Sequence, residues 1–104
     1  MKRKREGAEQ IVVALCRDYP RRREAIRQGT VSRRTAMEYK YLNAMICEAA
    51  RETVDERLAL TLVIEIGEER GYAKSRVDCL SETTYKRYKN LLLHAIARKL
   101  HLED

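Results

Sequence analysis

The chain has no Trp and no Phe, and its 104 residues include only one Pro and four Gly. Its aromatics are six Tyr and nothing else. So little Gly and Pro leaves no flexible linker, and neither a repeat nor a low-complexity tract is visible, so a single domain over residues 1–104 is the economical reading. Cysteine is sparse: Cys16, Cys47 and Cys79 stand 31 and 32 residues apart. No pair has metal-ligand spacing, and an odd count argues against a disulfide framework. They read as small buried residues in a reducing cytosol. Long hydrophobic runs are missing too. The longest, residues 58–66, is far short of a membrane span and contains Thr61 and Glu65. The basic residues 1–5 are followed only by the short apolar run 11–15, too short for a signal peptide. A soluble, cytoplasmic protein without membrane contact is expected.

Catalytic signatures are absent as well. There is no Gly-rich phosphate loop, no nucleophile motif and no acidic pair tied to a His. Asp55 with Glu56 and Glu68 with Glu69 are sequence neighbours, so each pair diverges around a helix and reads as helix-terminal charge. His94 and His101 share a helix face two turns apart, too far for one metal. The expectation is no enzyme, no catalytic residue, no metal, no cofactor and no evident small-molecule substrate.

Charge is abundant: 37% of residues are charged and the net charge is +6. Its distribution is uneven. Residues 1–16 carry +2 (four basic, two acidic) and residues 17–34 carry +5 (seven basic, two acidic). Residues 35–73 carry −4 (four basic, eight acidic) and residues 74–104 carry +3 (seven basic, four acidic). Two basic blocks flank an acidic middle, which suits a polyanion at the ends and not at the centre.

A chain rich in Ala, Leu, Arg, Glu and Lys is helical in composition, and the expected fold class is all-α, a small domain of about five helices. Residues 1–7 read as a flexible basic arm of the kind that reaches into a minor groove or solubilises a terminus. Ile11, Val12, Leu15 and Cys16 share a helical face. Pro20 suits the first turn of a short helix over residues 20–28, with Asp18 as its cap and Gly29 as a left-handed stop. Ser32 opens a long helix to about residue 53, in which Met37, Tyr41, Ala44, Met45, Cys47 and Ala49 recur every three to four residues. Asp55 caps a helix over residues 56–70 that ends at Gly71. Its run 58–66 has strand-like β-branched residues, but no other segment offers it a strand partner, so a buried central helix is preferred. Ser75 and Asp78 could open one short turn.

The last helix carries the functional signal. Ser81 is an N-cap that can accept from the amide of Thr83 or Thr84. Tyr85, Tyr88, Leu92, Ala95 and Ile96 fall on one face, and Glu82, Thr83, Lys86, Arg87 and Asn90 on the other. Thr, Lys, Arg and Asn are competent readers of base edges and phosphates. Lys74 and Lys89 stand where flanking backbone contacts belong, and the tyrosine hydroxyls are placed to reach phosphates. A helix that is polar and basic first and apolar later suits insertion of its N-terminal end into the major groove.

The segment from Leu80 and Ser81 through Glu82, Thr83, Thr84, Tyr85, Lys86, Arg87, Tyr88 and Lys89, followed by Leu92, Ala95, Ile96, Ala97 and Leu100, resembles the C-terminal half of small phage-type transcriptional regulators of the ArpU/RinA group. That group is related to the helix-turn-helix region 4 of sigma factors. The likeness covers residues 55–102. It implies a helix-turn-helix-like half, DNA binding through Ser81, Thr83, Thr84, Lys86, Arg87 and Lys89, and a place for RNA polymerase among the partners. One departure stands out: residues 71–80 are long for the turn of such a motif. Either its first helix is a short turn around residues 75–80, or the motif carries an insertion.

Arg21, Arg22 and Arg23, with Arg17, Arg27, Arg33 and Arg34, form the second basic cluster. Phosphate contacts by Arg21, Arg22, Arg23, Arg33 and Arg34 are one reading. A solvated surface is another, and ion pairs from residues 21–27 to Glu65, Glu68 and Glu69 are a third. The combined expectation is a duplex-DNA-binding regulator of phage or mobile-element type. The alternatives are a non-catalytic helical interaction module and a phage packaging or assembly adaptor. Apolar surface on residues 58–66, with Leu91 and Leu93, points to a homodimer whose interface includes part of residues 32–66.

Overall fold

The computed structural model describes residues 3–69, 71–77 and 80–102, with side chains from residue 7 onward. The described residues are helical, with no strand among them. In chain order they form α1 (Arg3–Arg17), α2 (Tyr19–Gln28), α3 (Arg33–Thr53), α4 (Glu56–Gly67), a single 3-10 turn (Tyr72–Lys74) and α5 (Glu82–Lys99). No described helix is long and apolar enough to cross a membrane.

Local chemistry explains most boundaries. Gly29 stops α2 in the left-handed conformation (φ 66°). Ser32 caps α3 by accepting from the Thr35 amide at 3.2 Å, and Asp55 caps α4 by accepting from the Arg57 amide at 2.8 Å. Three boundaries depart from the sequence reading. Residues 3–7, assigned to an arm, belong to the first turns of α1: Lys, Arg and Glu favour helix, and an exposed Gly7 costs only about 1 kcal/mol. Asp18 makes no side-chain cap; its carboxylate pairs with Arg21 at 3.2 Å. The chain bends there without unwinding, because the Asp18 amide donates to Ala14 O and its carbonyl accepts from the Arg22 amide. Helix α4 ends at Gly67, not near residue 70, and the reversal falls at Glu69 (φ 55°) rather than at Gly71.

The core lies where α3 packs on α5, α1 on α4, and α2 and α4 on α3. Its fully buried side chains include Val12, Cys16, Ile46, Leu62, Val63, Tyr85, Leu92 and Ile96. The run 58–66 is the central helix and is largely covered within the chain, with Leu60 its one exposed large apolar residue. The face of α3 differs from expectation. Met37, Tyr41 and Ala44 point to solvent; Ala49 is buried as expected, and Asn43, Ile46 and Ala50 are buried beside it. No residue of α3 before Asn43 is buried, although Thr35, Ala36, Tyr39 and Leu42 are half-buried. Of the cysteines, Cys16 is buried and Cys47 half-buried, its Sγ 2.9 Å from the Tyr19 hydroxyl; Cys79 lies outside the described residues. Burial pushes the Cys16 thiol up to about 12 against the opposing charge of Arg22.

Candidate nucleic-acid interface

Ser81 opens α5. Its Oγ accepts from the Thr84 amide at 3.2 Å and its hydroxyl donates to the Thr84 hydroxyl at 3.0 Å. Glu82 in the first turn complements the helix dipole and pairs with Lys86 at 3.0 Å. Ser81, Glu82, Thr83, Lys86, Arg87 and Asn90 are all exposed, as their helical positions require. Thr84 is half-buried with its hydroxyl taken up in the cap.

The opposite face locks this tip in place. Tyr85 is 1% exposed, and its hydroxyl donates to Glu65 Oε1 at 2.7 Å rather than reaching outward. The same oxygen accepts from the Ser75 hydroxyl at 2.8 Å, and Glu65 Oε2 accepts from the Arg76 amide at 2.7 Å. One fully buried carboxylate thus joins α4, the 71–80 connection and α5. Burial alone would raise its pKa; the Arg76 amide and the Tyr85 and Ser75 hydroxyls outweigh that and hold it below the ordinary carboxylate range. The sequence had offered Glu65 as an ion-pair partner for residues 21–27, which it is not.

Among its described residues, the connection does not show the turn expected at Ser75. Its turn lies at Tyr72–Lys74, upstream of Ser75, and Ser75 is extended (ψ 150°). The Ser75 Oγ accepts from the Val77 amide, and Tyr72 donates to Leu80 O at 2.8 Å while its ring meets Tyr85 at 5.5 Å. Asp78, the other half of the expected turn signal, lies outside the described residues. Lys74 and Arg76 are therefore exposed cations on a segment tied to the foot of α5. Lys89 is half-buried, its Nζ 5.1 Å from the Tyr85 ring centre; burial lowers its pKa while the Glu65 charge opposes. Lys86, Lys89 and Asn90 line a cleft of about 410 Å³ together with Tyr72 and Glu69.

The arginine cluster is carried by a different pair of elements, α2 and the first turn of α3. Arg21 lies over the Tyr39 ring and pairs with Asp18, and Arg23 lies over the Tyr19 ring. Arg33 and Arg34 are exposed. Arg27 pairs with Glu24, and it is Arg17 and Arg76 that meet Glu69 and Glu68. Arg22 must be withdrawn as a phosphate contact. It is 3% exposed, donates from Nε to Asn43 Oδ1 at 2.7 Å and from Nη2 to Leu15 O at 2.6 Å, and ties α1 and α2 to α3. Sequence reading missed Asn43, which also donates to Tyr19 O; the apolar spacing placed the inner face of α3 elsewhere and gave no signal for it.

Compared with protein-family models, curated proteins and solved structures, the chain finds no match.

Proposed function

We propose that the protein binds duplex DNA and regulates transcription, placing the first two turns of α5 in the major groove. The observation that carries this is the division of α5. Thr83, Lys86, Arg87 and Asn90 face solvent at its N-terminal end, while Tyr85, Leu92 and Ile96 hold it in the core. That is the arrangement a reading helix needs, since only a fixed helix can present base-edge contacts in register. In this reading α4, residues 71–80 and α5 act as the helix-turn-helix-like unit of the ArpU/RinA likeness, with the turn built from irregular chain pinned to Glu65. Lys74 and Lys89 take flanking phosphates. A second observation supports a polyanion partner. The first turn of α3 holds Arg33 and Arg34 and no acid, the wrong sign for the helix dipole, and phosphates would relieve that cost.

Fluorescence anisotropy with random duplex DNA at two salt concentrations tests the reading. Affinity should fall steeply with salt. Lys86→Ala with Arg87→Ala should remove most binding, flatten the slope of log affinity against log salt by roughly one unit per lost contact, and leave the melting temperature nearly unchanged. Parental binding by the double variant would sink the assignment of α5.

A further inference from the structure

The first half of α3 carries a stripe that the fold leaves uncovered. Met37 and Tyr41 are 64% and 62% exposed, more than any other large apolar side chain among the described residues. Arg34, Met37, Tyr41, Ala44 and Glu48 recur at alternating spacings of three and four, so they lie on one line along the helix, away from buried Asn43, Ile46 and Ala50. All five are exposed. Apolar positions at this spacing form the seam by which two helices pair side by side.

Charge selects the occupant. The stripe is positive at Arg34 and negative at Glu48, whose side chains are 91% and 60% exposed. Arg34 has only a 3.9 Å approach to Glu38. Glu48 shares Lys99 with Glu52, so Lys99 keeps a partner if Glu48 turns away. Arg34 and Glu48 each stand seven residues from Tyr41, about 10 Å along the axis. A second copy running antiparallel, with its two-fold axis at Tyr41, brings each Arg34 level with the partner subunit's Glu48. A parallel copy would set like charge against like. We propose that α3 forms an antiparallel homodimer seam, with Met37, Tyr41 and Ala44 supplying the apolar contact and the two Arg34–Glu48 pairs fixing the register. The seam takes no residue of α5, so it stands whether or not α5 binds DNA.

Sedimentation equilibrium of the full chain from about 5 to about 200 micromolar tests this. The parent should dimerise within that range. Tyr41→Glu should leave monomer. Arg34→Glu should weaken the dimer about tenfold, and adding Glu48→Arg should restore it, because the double reversal rebuilds the antiparallel pair. Met37→Ser with Tyr41→Ser probes the same seam without new charge and should also leave monomer; all these positions are exposed, so thermal melts should match the parent at a dilution where it too is monomeric. A parent that stays monomeric throughout overturns the proposal. So does a dimer that survives Tyr41→Glu, or a double reversal no tighter than Arg34→Glu alone.

Discussion

The Glu65 carboxylate accepts from three donors, the Tyr85 and Ser75 hydroxyls and the Arg76 amide, and the Arg76 guanidinium lies 3.9 Å from Oε2. An ionised carboxylate satisfies all three, whereas an amide side chain would turn its own donors against them. Glu65→Gln should therefore cost about 1–3 kcal/mol at neutral pH, measured by urea unfolding. The pH dependence has a definite sign. The folded pKa is depressed, so this stability is present above the unfolded value of about 4.3 and is lost as pH falls through the lower folded value. The gap between parent and Glu65→Gln should narrow as the pH falls through that lowered folded value and the parent carboxyl gains a proton. A gap that is constant with pH would mean Glu65 acts by shape alone. Arg22 is the counterpart in the other half of the molecule, a buried cation whose Nε and Nη2 donate to Asn43 and to the Leu15 carbonyl.

Among the elements, α4 depends on the one glycine that another helix forces. A Cβ at Gly67 would lie 2.6 Å from Arg17 Cα and Cys16 C, and closer still to the Arg17 amide nitrogen. These are backbone atoms and cannot swing aside. The C-terminal ends of α1 and α4 meet there, and the Gly67 carbonyl accepts from Arg17 Nε at 3.3 Å. Gly67→Ala removes helix-breaking entropy and would be mildly stabilising in an open helix. Here it should destabilise by about 3 kcal/mol, because α1 must shift away. A thermal melt equal to or above the parent's would show that α1 does not pack so closely.

At the scale of the whole molecule, one core has to stabilise every helix. Leu62, Ile66, Leu92 and Ile96 are 0%, 3%, 0% and 0% exposed. Truncating any one to Ala should cost about 2–5 kcal/mol in denaturant unfolding, a large share of the roughly 5–15 kcal/mol typical of small domains. A loss below about 1 kcal/mol at Leu62 or Ile66 would contradict the central place of α4. The radius of gyration, 13.9 Å, is slightly above the roughly 13 Å usual for this length. The exposed Met37–Tyr41 stripe of α3 is consistent with that extension, and it is where a second copy would gain most.

By itself the sequence determined the helical class, the caps at Ser32, Asp55 and Ser81, the stop at Gly29, and the burial of the α4 run and of Leu92 and Ile96. These follow from local hydrogen-bonding chemistry and from the 3.6-residue period, which act within a few residues. It also separated the exposed Lys86, Arg87 and Asn90 from the buried Tyr85 on α5, for the same reason. Only the tertiary structure decided which apolar or charged side chains meet a neighbour. Met37 and Tyr41 follow the same spacing as core residues, yet they face solvent. Arg22 looks like its neighbours Arg21 and Arg23, yet it alone points between helices. Glu65 looks like a stray acid in an apolar run until three donors from residues 75, 76 and 85 converge on it. Periodicity says which residues share a face, but what that face meets is set by where distant helices end, as Gly67 and Arg17 show across 50 residues of chain.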